Sequence, residues 1–330
     1  MTFIHNRKED LISDYLAGLM AAYPHLAKHP QLPLVYDKNR NQTQVPILAG
    51  GGSGHEPAHM GFVGRGMLTA AIYGPIFSPP TTQDIYQAIR FLDQGKGVFV
   101  IVKNFEADVN NFRQAISQAK SDGHQVKYIL SHDDISIEPE KNFQIRGRGL
   151  AGTIILHKIL GQLAGQGADL DQLEQTGFQL ATQIATIGFA TKPASRPRAA
   201  LPLFELAAET ISYGIGIHGE DGYRTVPFEQ SEKLAIEVIN KLKLHFHWKK
   251  GQSFLLLVNN LGTTTDLEMG IFLNDLQQLL EIEELDIPLI KMGKFMTSLD
   301  MTGISVTLCR LSDPTWLPHL QAQTDAFAWS

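Results

Sequence analysis

The chain reads as an α/β protein of two domains, each a mostly parallel or mixed sheet covered by helices. Three observations predict this. Apolar runs of strand length recur along the 330 residues, helically spaced stretches lie between several of them, and a proline-rich basic segment interrupts the alternation near residue 191. Strands alternating with helices are the pattern of α/β layers. A chain of this length is long for a single core and comfortable for two.

Taken in order, strands are expected at Pro46–Ala49, Leu68–Ile72, Gly97–Val102, Val126–Leu130, Tyr213–Ile217, Phe254–Val258, Pro288–Ile290 and Ile304–Leu308. Helices are expected at Phe112–Lys120, Leu150–Gln166, Asp171–Ile187, Ser231–Leu244 and Asp266–Leu280. Residues 191–202 carry three prolines and three basic residues, the composition of a boundary or exposed crossing. This places an N-terminal domain at 1–190 and a C-terminal domain at 191–330.

Composition excludes several classes. With 43% apolar and 19% charged residues the balance is that of a folded, soluble protein. The longest apolar stretches are far too short to span a bilayer, and the N-terminus lacks the apolar core of a secretion signal. A net charge of −6 leaves no broad basic face for nucleic acid. The one cysteine, Cys309, rules out an intrachain disulfide and a cysteine-based metal site; within an apolar run it reads as a buried small hydrophobe. The expectation is a cytoplasmic protein with neither membrane nor nucleic-acid partners.

Three segments that follow strand-like runs carry the chemistry. In open α/β sheets, ligands bind beyond the carboxyl ends of strands, where distant segments converge. The first segment is Gly50-Gly51-Gly52-Ser53-Gly54-His55-Glu56-Pro57-Ala58-His59. Four glycines give a ligand close access to backbone N–H groups, and a helix starting after them would point its free donors at an oxygen-rich ligand. The segment fits no P-loop, which needs a lysine absent here, and no dinucleotide fingerprint. His55 and His59 match His-Glu-x-x-His, but the glycines leave His55 at the very start of any helix, so no metal is expected. A tight turn without a ligand is the plainer alternative.

The second segment, Lys103-Asn104-Phe105-Glu106-Ala107-Asp108, offers an acid/base carboxylate and an ammonium donor, or a simple salt bridge. The third runs Gly214-Ile215-Gly216-Ile217-His218-Gly219-Glu220-Asp221-Gly222. A histidine on an apolar strand is usually a core residue. Here the glycines strip side chains from around His218, and Glu220 and Asp221 supply acceptors to orient its ring. A neutral imidazole nitrogen can attack an electrophile.

Together these segments resemble the dihydroxyacetone kinase K-subunit family. The resemblance continues through Gly61–Leu68, Asp133-Asp134, Arg146–Thr153, Val258–Gly262 and Thr297–Gly303, in order along nearly the whole chain. It implies two α/β domains and a homodimer. It also implies that His218 adds through a ring nitrogen to the ketone carbon of dihydroxyacetone, giving a hemiaminal. Asp108 would match the acid/base group. Lys103, His55 and the backbone of Gly52 would form the hydrogen-bonding shell, with Gly51 and Ser53 beside it. Only a carbonyl forms such an adduct, so glycerol is excluded by chemistry rather than shape. In this family a separate helical L subunit carries the nucleotide. No matching acidic cluster occurs here, so no cofactor is expected, and this chain alone is not expected to phosphorylate anything.

Several motifs depart from the catalytic K subunits. Phe77-Ser78-Pro79-Pro80-Thr81-Thr82 stands for Phe-Thr-Ser-Pro-Thr-Pro, and Asn104-Phe105-Glu106-Ala107-Asp108 for Asn-Tyr-Ser/Thr-Gly-Asp. Ile145-Arg146-Gly147-Arg148-Gly149 stands for Gly-Arg-Arg-Gly, and His218-Gly219-Glu220-Asp221-Gly222 for His-Gly-Glu-Pro-Gly. The adduct-forming histidine and the acid/base aspartate remain while their surroundings have drifted. This favours a coactivator paralogue that binds dihydroxyacetone and acts on a TetR-like transcription regulator. The alternative is the K subunit of a phosphoenolpyruvate-dependent kinase, partnered by the L subunit.

Overall fold

A computed structural model describes residues 3–137, 147–197 and 201–329. Ile145 and Arg146 of one expected motif, and residues 198–200 of the expected boundary segment, lie outside these. In chain order the elements are α1 (Leu11–Ala22), β1 (Leu26–Lys28), β2 (Leu34–Asp37), β3 (Ile47–Ser53), β4 (Ala70–Ile76), α2 (Thr82–Leu92), β5 (Val98–Lys103), α3 (Glu106–Ser121), β6 (Val126–Ser131), α4 (Thr153–Gly165) and α5 (Leu170–Ala181). There follow β7 (Ile184–Lys192), β8 (Thr210–Tyr213), β9 (Arg224–Pro227), α6 (Ser231–Phe246), β10 (Ser253–Asn260), α7 (Asp266–Ile282), β11 (Asp286–Gly293), β12 (Thr302–Arg310) and α8 (Trp316–Gln321).

The strands form two six-stranded sheets, ordered β1-β2-β4-β3-β5-β6 and β11-β10-β12-β7-β8-β9. In the first, β4, β3, β5 and β6 run parallel, so the carboxyl ends of β3 and β5 lie side by side. The second is mixed and mainly antiparallel; its one parallel pair, β10 with β11, is joined through α7. Helix starts follow local chemistry. Thr265 and Glu268 make a capping box on α7, Asp169 and Gln172 make one on α5, and the Thr81 hydroxyl accepts the Asp84 N–H to start α2.

One apolar core joins both sheets. Ile47, Phe99 and Ile101 of the first share a cluster with Leu255, Leu257 and Cys309 of the second, with Ile154, Ile155 and Ile159 of α4. Cys309 is fully buried and its thiol is pushed up by burial. Asp133 ties the layers at the end of β6. Its carboxylate accepts the N–H groups of Leu150 and Gly152 ahead of α4, and the hydroxyl of Thr186 on β7. Among the described residues no helix is long and apolar enough to cross a membrane.

Three expectations are corrected. The helix expected over Asp171–Ile187 ends at Ala181, and Ile184–Ile187 instead open β7. That strand is buried on both faces from Ile184 to Ala190, and a continuous apolar run has no period that separates strand from helix. β7 also crosses the position between residues 190 and 191 while pairing within the second sheet. The strand expected at Tyr213–Ile217 stops at Tyr213, where Gly214 takes a φ of 73°. Lastly, Gly50–Gly52 form no turn before a helix. They lie inside β3, and only a short 3-10 turn, Met60–Phe62, follows.

The glycine strand has a steric cause. A Cβ on Gly50 would stand 2.2 Å from the Ile72 carbonyl oxygen of the paired strand, and one on Gly52 2.6 Å from the backbone nitrogen of Ser78. Backbone cannot yield as a side-chain tip can. Gly50→Ala is therefore expected to destabilise the fold by about 2 kcal/mol or more. A lower urea midpoint at unchanged m-value would show it.

Candidate ligand site

The site lies where the carboxyl ends of β3 and β5 meet the β8–β9 loop of the other sheet. β3 delivers His55 just beyond Ser53, β5 ends on Lys103, and α3 carries Asp108 in its first turn. The turn Gly216–Glu220 closes with hydrogen bonds from Gly216 N to Glu220 O at 3.0 Å and from Gly219 N to Gly216 O at 3.2 Å, and it presents His218.

His55 is fixed by Thr297. Its Nδ1–H donates to the Thr297 carbonyl at 2.7 Å, and Thr297 returns its N–H to the His55 carbonyl at 3.2 Å and its hydroxyl to the Glu56 carbonyl at 2.7 Å. A carbonyl only accepts, so the proton of a neutral His55 sits on Nδ1 and Nε2 carries the lone pair. That nitrogen faces His218 Nε2 at 3.0 Å. On the far side of the His218 ring, Nδ1 lies 3.0 Å from Glu220 Oε1, while Glu220 Oε2 accepts the His218 backbone N–H at 3.0 Å. One carboxylate thus holds both ring and backbone. Phe105 meets the ring edge-on at 4.6 Å between centroids, with Phe77 at 6.2 Å. The His218 side chain stays 22% exposed, so a small solute reaches it.

Lys103 and Asp108 are both buried, and Lys103 Nζ and Asp108 Oδ1 have no hydrogen-bond partner. Buried polar atoms are rarely left so, and each is costly. A Cβ on Gly51 would lie 2.9 Å from Lys103 Nζ and 3.3 Å from Asp108 Oδ1, so the missing side chain leaves both groups facing one small space. Burial lowers the Lys103 ammonium against the opposing charges of Asp108 and Glu220. Burial also raises the Asp108 carboxyl, although Lys103 and His218 pull it down. His55 is pushed well below the usual imidazole range by burial, then by the charges of Lys103 and His218. The space is therefore ringed by an unsatisfied donor, an unsatisfied carboxyl, and an imidazole held by a carboxylate, a set suited to a small polar carbonyl compound.

The structure brings His55, Gly51, Lys103, Asp108 and His218 together, with Gly52 in the same strand. Ser53 is in place, but its hydroxyl donates to the Gly74 carbonyl at 2.8 Å. His59 does not join them. Its Nδ1 pairs with His157 Nε2 at 2.8 Å in the interior, so the two histidines of His-Glu-x-x-His serve different neighbours. The sequence does not single out the orienting carbonyl of Thr297, because a backbone carbonyl has no residue signature. The ring contacts of Phe77 and Phe105 depend on loop geometry that spacing does not reveal.

The Dak1 domain profile matches residues 17–328, and the chain belongs to that family. It is 49% identical to the DhaKLM operon coactivator DhaQ of Lactococcus lactis, over 98% of this chain and 99% of that one. It is 42% identical to the dihydroxyacetone-binding subunit DhaK of the PTS-dependent dihydroxyacetone kinase of the same organism, over 99% of this chain and 98% of that one. Among solved structures it resembles a dihydroxyacetone kinase operon co-activator, DhaQ, with a TM-score of 0.91 and 50% identity, over 96% of this chain and 97% of that one.

Glu220 supplies a pH test. Burial alone would raise its carboxyl, but the hydrogen bond and charge of His218, its own backbone N–H and the charge of Arg148 outweigh that and hold it at about 2, below the ordinary 4.5. A depressed carboxyl stabilises the fold above its unfolded value, and the contribution is lost as pH falls through the folded one. The melting temperature of the native protein should therefore exceed that of Glu220→Gln at pH 6. The gap should narrow steadily as pH drops below 4.5 toward about 2.

Proposed function

We propose that this protein binds dihydroxyacetone, captures its ketone as a hemiaminal on His218, and serves as a coactivator that signals the ligand to a TetR-like transcription regulator. The observation that carries the capture step is the His218 ring. Nδ1 is held by the Glu220 carboxylate, Nε2 meets the lone pair of His55 Nε2, and the buried Lys103 Nζ and Asp108 Oδ1 of the same site lack partners.

The chemistry balances on these groups. Without ligand, the lone pair of His55 Nε2 requires a proton on His218 Nε2. His55 is too weakly basic in its buried place to keep that proton, whereas Asp108, raised by burial, takes it. The freed Nε2 pair attacks the ketone carbon and a C–N bond forms. The carbonyl π pair moves to oxygen, which receives the proton back from Asp108, with Lys103 donating a hydrogen bond. The imidazolium left on the adduct is neutralised by Glu220. A hydroxyl at the middle carbon offers no electrophile, so glycerol gains none of this.

Two facts support a signalling role over catalysis. Identity is higher to a protein described as an operon coactivator than to a kinase subunit of the same organism, and the rim of the site departs from the kinase pattern at Pro79, Phe105 and Glu106. The homodimer and the cytoplasmic location belong to the same proposal. The second reading, the K subunit of a phosphoenolpyruvate-dependent dihydroxyacetone kinase, is favoured by the 42% identity to such a subunit.

Calorimetry should show binding of dihydroxyacetone but not glycerol, and His218→Ala should weaken it by ~100-fold or more. Mixed with an L subunit and its phosphodonor proteins, the chain should leave dihydroxyacetone unconsumed. Sustained turnover at kinase-like rates would move the assignment to the K subunit.

A further inference from the structure

The Glu220 carboxylate sits beside a glycine that no turn geometry requires. Gly216 is absent from the positive-φ glycines, so its backbone would accept an alanine. Yet a Cβ there would lie 2.0 Å from Glu220 Oε2 and 2.6 Å from Arg148 Nη1. The carboxylate and the guanidinium therefore both lie against the bare face of Gly216, facing each other across it without a direct hydrogen bond. Arg148 belongs to the segment that enters α4, behind the first sheet, whereas Gly216 and Glu220 lie in the loop between β8 and β9 of the second.

Arg148 is 7% exposed and rigidly held. Its Nε donates to Asp134, and Nη2 donates to Ser136 Oγ at 3.0 Å and to the Gly214 carbonyl at 2.7 Å. Those bonds spend one edge of the guanidinium and leave Nη1 directed at Gly216. A planar, permanently charged group pinned in this way is a preorganised counter-charge.

We propose that Arg148 is a positioning residue for His218, acting through Glu220, and that Gly216 is bare so that the two can approach. The proposal rests on the ketone-capture reading for its consequence, but not for its geometry. Arg148 acts on the carboxylate as a fixed counter-charge across Gly216. The carboxylate holds the proton of the imidazole on Nδ1, and that leaves Nε2 free to attack when its own proton departs. The device spans both sheets, so the capturing nitrogen is aimed correctly only while the two layers are in register.

Gly216→Ala separates this role from folding, because its methyl meets side-chain tips rather than backbone: the movable Glu220 carboxylate must give way before the pinned Arg148, whose other bonds stay intact. Long-range 1H–15N spectra of the ligand-free protein report the protonation and hydrogen bonding of each His218 nitrogen, and calorimetry reports dihydroxyacetone affinity. In Gly216→Ala and Arg148→Met the Nδ1 signal should move away from its native position, and affinity should fall about tenfold, the loss of a partly buried counter-charge to Glu220. Arg148→Lys should recover part of both. Native ring signals with affinity within about twofold of native in Gly216→Ala would overturn the proposal and leave Arg148 a purely structural tie. If the native protein fails to bind dihydroxyacetone, the capture reading fails, while the ring spectra still decide whether Arg148 positions His218.

Discussion

The clasp between His55 and Thr297 is the constraint on which the site depends. Three hydrogen bonds join residues 55–56, at the carboxyl end of the first sheet's central strand, to a single residue before the last strand of the second. They set the separation of the layers at the site, where both contribute polar side chains. They also settle the tautomer of His55, and through it the direction of the bond to His218. Without the clasp the two rings would be independent groups on separate sheets. With it, one nitrogen of each is committed to the same small volume.

The second constraint is the absence of side chains along β3. A strand with three consecutive glycines forfeits packing and stiffness. Here neighbouring backbone approaches Gly50 and Gly52 too closely for a Cβ, and Gly51 opens the space that Lys103 and Asp108 face. Those two groups are unsatisfied in the interior, which costs stability in the empty protein. A polar ligand that satisfies both recovers that cost on binding. The same economy recurs at Gly216, where a missing methyl admits a carboxylate and a guanidinium to one face.

Much of this was legible in the chain. The α/β architecture of helix-covered sheets followed from the alternation of apolar runs and helical stretches, and every expected strand overlaps an observed one. His55, Lys103, Asp108 and His218 stood out because polar residues crowd the ends of those runs. What escaped had physical causes. β7 hid inside an expected helix because a strand buried on both faces shows no alternation. The glycines of β3 looked like a turn because propensity cannot register that a neighbouring carbonyl stands 2.2 Å from a would-be Cβ. Thr297 acts through its backbone, a kind of role that leaves no residue pattern. His59, which the spacing linked to His55, turned instead toward His157.

The central claim is that a ketone becomes covalently bound to His218 Nε2. It is tested most directly by adding dihydroxyacetone labelled with 13C at its ketone carbon and recording the carbon spectrum of the complex. Capture predicts a protein-bound signal in the region of a tetrahedral carbon bearing nitrogen and oxygen, absent in His218→Ala. A bound ligand whose labelled carbon stays in the carbonyl region would contradict the account.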